Sequence, residues 1–348
     1  MRKLTVLAIV ALTILTAAPA LACGGLVNPN GTVSLLKTST LVAYVDGVEH
    51  YITSFEFNGG GGEFGSIVPL PGVPSDVKRA GDWTLQRLAR EVAPPVRDLT
   101  AESAALDAAA APEAEVLLET RIDALDITVL KGGAQEVGTW AKENGFLLTP
   151  DTPEVLEFYA RRSPIFMAAR FDASAARDLG QATGDGTPIH VTIPTPNPWV
   201  PLRILGLGSG PDAPIEADVF LLTQTKPALL PAPTSPEERE GIFLDRNERA
   251  SGSLLRDLAS DKGMSWLPTS DMWFSYLRID ERAGDLTHDL AIDASGVGAP
   301  SPIAAGLQLP ARDLPDGTPA WVWWVVAGAA VAIAVTVARW GPPKGVSR

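Results

Sequence analysis

The sequence predicts an α+β fold of mixed, mainly antiparallel strands with interspersed helices, plus a single C-terminal transmembrane helix. Three observations predict it. Runs rich in β-branched and aromatic residues are bounded by Asp-Gly, Gly-Gly and proline breakers, which is how short strands read. Between them lie segments with apolar residues at helical spacing. Near the end, Ala320–Ala338 carries no charge over about 19 residues, enough to cross about 30 Å of hydrocarbon. Of the 348 residues, 46% are hydrophobic and 20% charged, which supports a packed core and excludes general disorder.

The elements follow in chain order. Thr32–Tyr44 and His50–Phe57 flank Asp46-Gly47 and predict a β-hairpin. Gly59–Gly62 reads as a hairpin tip rather than a phosphate loop, because no lysine follows it. Asp82 is placed to cap a helix in which Leu85, Leu88, Ala89 and Val92 share a face. Thr100–Ala114 is alanine-rich and acidic, an exposed helix or a linker. Val116–Leu130 holds strand material ahead of Gly132-Gly133. Ala134–Asn144 predicts a helix with Val137, Trp140 and Ala141 inward and Gly145 as its stop. Thr152 and Pro153 open another helix through Arg162, with Leu156, Tyr159 and Ala160 on its apolar face. Strands are expected at Ile165–Phe171, Ile189–Ile193, Asp218–Thr223 and Met272–Ile279, a loop at Lys226–Glu240 and a short helix at Leu254–Ala259.

The two ends predict processing and topology. Met1-Arg2-Lys3, the apolar Leu4–Thr16 and Ala20-Leu21-Ala22 have the layout of a signal peptide, residues 1–22. Cleavage after Ala22 would expose Cys23, the sole cysteine, so no intrachain disulfide forms; a lipidated Cys23 is the second reading, although Ala20 stands where a lipobox has a branched residue. Trp321, Trp323 and Trp324 at one end of the 320–338 span and Trp340 at the other form aromatic belts, and the basic tail 339–348 places the C-terminus in the cytoplasm. The expected organisation is thus a 23–293 extracytoplasmic domain, a Pro/Gly/Ala-rich stalk at 294–319, the span and the tail, a single-pass protein of the cell membrane. Leu314–Thr318 resembles a sortase pentapeptide with its last two residues transposed.

Net charge is -13, and the ends hold five Lys and Arg but no Asp or Glu. The acidic balance therefore lies between Cys23 and Pro319, which argues against nucleic acid as a partner. No Gly-x-Ser-x-Gly, His-Glu-x-x-His or Gly-Lys-Thr motif occurs. His50 and Glu56 share a strand face but stand about 20 Å apart at 3.3 Å per residue, so His50 needs a partner from elsewhere to hold a metal. His190 precedes strand residues, and His288 lies among Asp285, Asp289 and Asp293 without the register of a calcium loop. No catalytic residue, cofactor or metal site is assigned.

Several segments carry a likeness. Cys23-Gly24-Gly25, Phe64–Pro71 (FGSIVPLP), Trp140–Phe146 (WAKENGF), Tyr159, Phe166–Phe171 and Pro198–Ile204 occur in the order of a bacterial family. Over 23–225 the chain resembles the domain of unknown function 2330, DUF2330. The resemblance implies an extracytoplasmic bacterial protein and supplies no catalytic residues. Two functional readings follow. One is a membrane-anchored module that binds or scaffolds a protein partner in the cell envelope. The other is a tethered hydrolase using two carboxylates, which would need a deep cleft with the pair about 5–9 Å apart.

Overall fold

In a computed structural model, the structure describes residues 25–27, 33–59, 64–92, 114–146, 148–179 and 187–310. All of them but Pro310 belong to a unit that ends at Leu309.

The seven-stranded sheet at the centre starts from the expected hairpin. β2 (Val33–Val45) and β3 (Val48–Gly59) pair antiparallel with Val45 opposite Val48. Asp46 and Gly47 between them have φ of 51° and 83°, the left-handed pair that a two-residue hairpin turn requires. β5 (Asp76–Arg79), β9 (Ile189–Pro194), β11 (Pro214–Thr223), β13 (Gly241–Arg249) and β14 (Trp273–Arg282) complete it, in the order β13-β14-β11-β2-β3-β9-β5. All neighbours are antiparallel except β2 and β11.

Strand periodicity divides this sheet between two cores. Val42, Tyr51, Val219 and Leu221 face one core; Leu41, Ala43, Ile52, Phe220 and Leu222, their chain neighbours, face the other. Both faces are apolar, so the strands read as continuous hydrophobic runs.

The first core is shared with a five-stranded sheet, order β1-β4-β8-β7-β6. Its strands are β1 (Gly25–Val27), β4 (Phe64–Pro69), β6 (Glu115–Ile122), β7 (Leu125–Lys131) and β8 (Ile165–Phe171). The second core is covered by α1 (Thr84–Val92), through Leu85 and Leu88, and by a helix at Gly252–Ser260, through Leu254, Leu255 and Leu258. The expected helix at 134–144 is α2 (Ala134–Glu143), with Val137, Trp140 and Ala141 buried and Gly145 at φ 81°. The next is α3 (Thr152–Ala160), which has Pro153 in its first turn. The short α4 (Ala173–Asp178) follows β8, and the Gly252–Ser260 helix is α5. A small third sheet joins β10 (Trp199–Val200), β15 (Leu290–Asp293) and β12 (Ala228–Leu230).

The structure corrects several expectations. No helix of the described residues is long and apolar enough to cross a membrane. The longest, α2, has 10 residues and spans about 15 Å, half a bilayer core. The fold is therefore a sheet-rich α+β arrangement; the transmembrane helix, the membrane contact through it and the single-pass topology are not supported. The span at 320–338, the tail, the signal segment with Cys23, and the stretch 100–113 lie outside the described residues. α1 begins at Thr84 and is capped by Asp261, not by Asp82: Asp261 accepts from the Asp82 and Trp83 amides at 3.2 and 3.0 Å and from Thr84 Oγ1 at 2.7 Å. The loop expected at 226–240 contains β12, and β13 went unforeseen. Residues 294–310 run back over the domain, with Ala304 and Ala305 buried.

Candidate functional site

Two of the resemblance segments meet in space. β4 carries Gly65 opposite Arg170 of β8. A Cβ on Gly65 would lie 2.0 Å from Phe146 Cε1, so the missing side chain is what lets the Phe146 ring lie on the strand. Phe146 follows α2 and contacts Trp140 at 5.8 Å between ring centroids. Beside this aromatic pair opens a cleft of about 470 Å³ lined by Arg121, Asp126, Arg170, Trp140, Asn144 and Phe146, among others.

Three of the charges in the cleft are paired with one another, and Glu119 also lines it. Cross-strand register sets Arg121 and Arg170 on either side of Asp126. Asp126 Oδ1 accepts from Arg121 at 2.8 Å and Oδ2 from Arg170 at 3.0 Å. Arg121 reaches on to Asp172 at 2.6 Å. The Ala175 amide and then Arg121 hold the Asp172 carboxyl well below the usual carboxylate range.

A second polar group lies on the helix-covered face of the seven-stranded sheet. His50 of β3 and His190 of β9 are diagonal neighbours, and Nδ1 of His50 stands 3.0 Å from Nε2 of His190. Trp266 stacks on His50 at 3.6 Å and 4°. Burial, reinforced by Lys78, depresses His50 to about 4; burial, then His50 and Lys78, depresses His190 to about 3. Sequence reasoning treated the two residues separately, 140 positions apart. The partner His50 lacked on its own strand is supplied by strand pairing.

Asp289 belongs to a third group. Its Oδ1 accepts from Tyr159 Oη at 2.8 Å and from the Leu202 and Arg203 amides at 2.7 and 3.0 Å; Oδ2 pairs with Arg162, also buried. It faces inward, away from any cation loop with Asp285 and His288. Among the described residues, no three His, Cys, Asp or Glu side chains converge as a metal cage.

Among solved structures, that of baculovirus P35 overlaps 75% of this chain and 97% of its own, with 11% identity and a TM-score of 0.39. The caspase-8/P35 complex gives 77% and 98%, with 9% identity and a TM-score of 0.33. No curated protein matches the chain. The model of the family described as an uncharacterized protein conserved in bacteria (DUF2330) matches residues 17–228, more than half of the chain and including the segments that meet at Gly65 and Phe146, so the chain belongs to that family.

Proposed function

We propose that this protein is a binding module and that the cleft beside Trp140 takes a neutral, hydroxyl-rich ligand of the saccharide class. The observation that carries this reading is the state of Asp126. Each of its oxygens accepts from an arginine, so both are already engaged within the protein, unlike the free carboxyl pair that a hydrolase needs. The paired charges leave no surplus positive field for an anionic ligand. They do leave guanidinium donors and carboxylate acceptors side by side, which suits hydroxyls that donate and accept at once. Trp140 and Phe146, both largely buried, add an apolar border to the cleft against which the C–H groups of a sugar ring can rest.

The test is a calorimetric titration of the full chain with a panel of neutral oligosaccharides. Saturable binding that Arg170→Met weakens at least about tenfold, as loss of a charged hydrogen bond would, supports the reading. No heat with any member, or equal binding by the variant, rejects it. Release of new reducing ends that Asp126→Asn abolishes would return the carboxylate-hydrolase reading instead.

A further inference from the structure

We propose that His50 and His190 form a binding site for a late first-row divalent metal ion, Cu²⁺ above all, between β3 and β9. Ile52 is opposite His190 and His50 is opposite Thr192, which puts both imidazoles on one face of the sheet. Two nitrogens each about 2.0 Å from one ion stand roughly 2.8–3.4 Å apart at right-angled to tetrahedral geometry. The observed 3.0 Å, the separation of the hydrogen bond between the rings, falls within that range. In the protein alone a single proton lies between the two nitrogens. Metal binding displaces that proton, which passes through solvent to the other nitrogen of the ring that held it. Both facing nitrogens are then free for the ion, each ring carries its one proton on the far nitrogen, and no net proton is released.

The surroundings favour the exchange. Trp266, parallel to His50, fixes that ring, and its indole Nε1 is buried without a hydrogen-bond partner among the described residues. Thr192 Oγ1, 3.5 Å from His190 Nε2, is an oxygen donor at the same face. Lys78 would oppose a cation, but its Nζ is held 2.7 Å from Asp76, which offsets it. Two imidazoles without carboxylates suit neither calcium nor magnesium, which want oxygen cages. Imidazole nitrogens at a near-right angle suit copper, the strongest binder of the divalent series. Water completes the coordination from the side where His50 is part-exposed.

The experiment titrates the full chain with CuCl₂ in a non-coordinating buffer, followed by electron paramagnetic resonance and tryptophan fluorescence. One equivalent should bind with splitting from two imidazole nitrogens and quench emission. His50→Asn and His190→Asn should each weaken binding at least about tenfold, the scale on which altered metal sites lose affinity, and remove the two-nitrogen pattern. His288→Asn should leave both unchanged, and Trp266→Phe should bind copper with less quenching. Thermal melts report folding; if His190→Asn does not fold, His50→Asn, at the more exposed ring, decides. No stoichiometric binding by the wild type, or the same signal in His50→Asn, overturns the proposal and leaves the pair as a structural hydrogen bond.

Discussion

Glu49 is a carboxylic acid in an apolar setting. It lies on β3 opposite Tyr44 and Ile193, is fully buried, and neither carboxyl oxygen has a well-formed hydrogen bond. Burial pushes its carboxyl well above the usual range, opposed only in part by the Trp199 backbone. The sign of the consequence follows from proton counting. The unfolded chain releases this proton near the ordinary glutamate value, whereas the folded chain keeps it. Stability from this group is therefore complete below the ordinary value and falls as pH rises toward the folded one. Glu49→Gln has no proton to lose. The melting temperature of the wild type should fall relative to Glu49→Gln as pH is raised above the ordinary glutamate value, over the interval in which the protein stays folded. A constant difference across that interval would show that Glu49 ionises alike in both states. His50 and His190 act in the opposite sense at lower pH. Their depressed values mean that the unfolded chain takes up protons first, so stability drops as pH falls from the ordinary 6.5 toward about 4 and about 3. Comparing wild type with Glu49→Gln at each pH cancels that contribution.

At the scale of elements, the contact between β4 and the end of α2 rests on an absence. Gly65 gives Phe146 a place against the strand, and Phe146 in turn walls the cleft. Gly65→Ala should drive the ring off its seat and cost about 1–3 kcal/mol, the usual penalty for overpacking a filled site. Urea melts of the two proteins check this. The same variant should weaken saccharide binding, because the displaced ring enters the cleft; unchanged stability would mean that Phe146 has room to move aside. α1 shows another dependence across elements. Asp261, which follows α5, accepts from the two amides just ahead of α1 and from the Thr84 hydroxyl, so the N-terminus of one helix and the C-terminus of the other are tied by one carboxylate. Asp82 pairs with Arg79 instead.

At the scale of the molecule, Asp289 ties together parts of the chain far apart in sequence. Tyr159 and Arg162 come from the α3 region, Leu202 and Arg203 lead into a 3-10 turn at Arg203–Gly206, and Arg162 also donates to Ala304 O at 2.6 Å. Phe158, Tyr159 and Trp199 surround the guanidinium at 4.2, 4.9 and 4.7 Å. Both partners are desolvated, with side-chain exposures of 3% for Arg162 and 0% for Asp289. Removing only the cation strands a buried carboxylate. Arg162→Met should therefore cost about 3–5 kcal/mol in a urea melt. Arg162→Met with Asp289→Asn should recover part of that loss, since the stranded charge is gone. Equal destabilisation by single and double variants would show that the arginine acts through packing alone.

The local elements were legible in the sequence where one residue type forces the backbone. Asp46-Gly47 demanded a left-handed turn and so fixed the hairpin register. Helical spacing of Val137, Trp140 and Ala141 fixed the buried face of α2. The apolar run at Ile165–Phe171 bounded β8 to the residue, and the ordered segments from Phe64 to Ile204 pointed to the family. β13 was not legible, because it is an edge strand with a bulge after Leu244 and a charged second half that does not alternate. The membrane span was read from an uncharged run, its flanking tryptophans and a basic tail, all of which lie outside the described residues, and no described helix has the length for it. The candidate sites could not be read from the chain at all. His50 finds His190, Asp126 finds Arg170, and Asp289 finds Tyr159 only through strand pairing and helix packing. Local periodicity records which face a residue occupies; which distant residue shares that face is decided by tertiary structure, because it depends on how whole sheets and helices align.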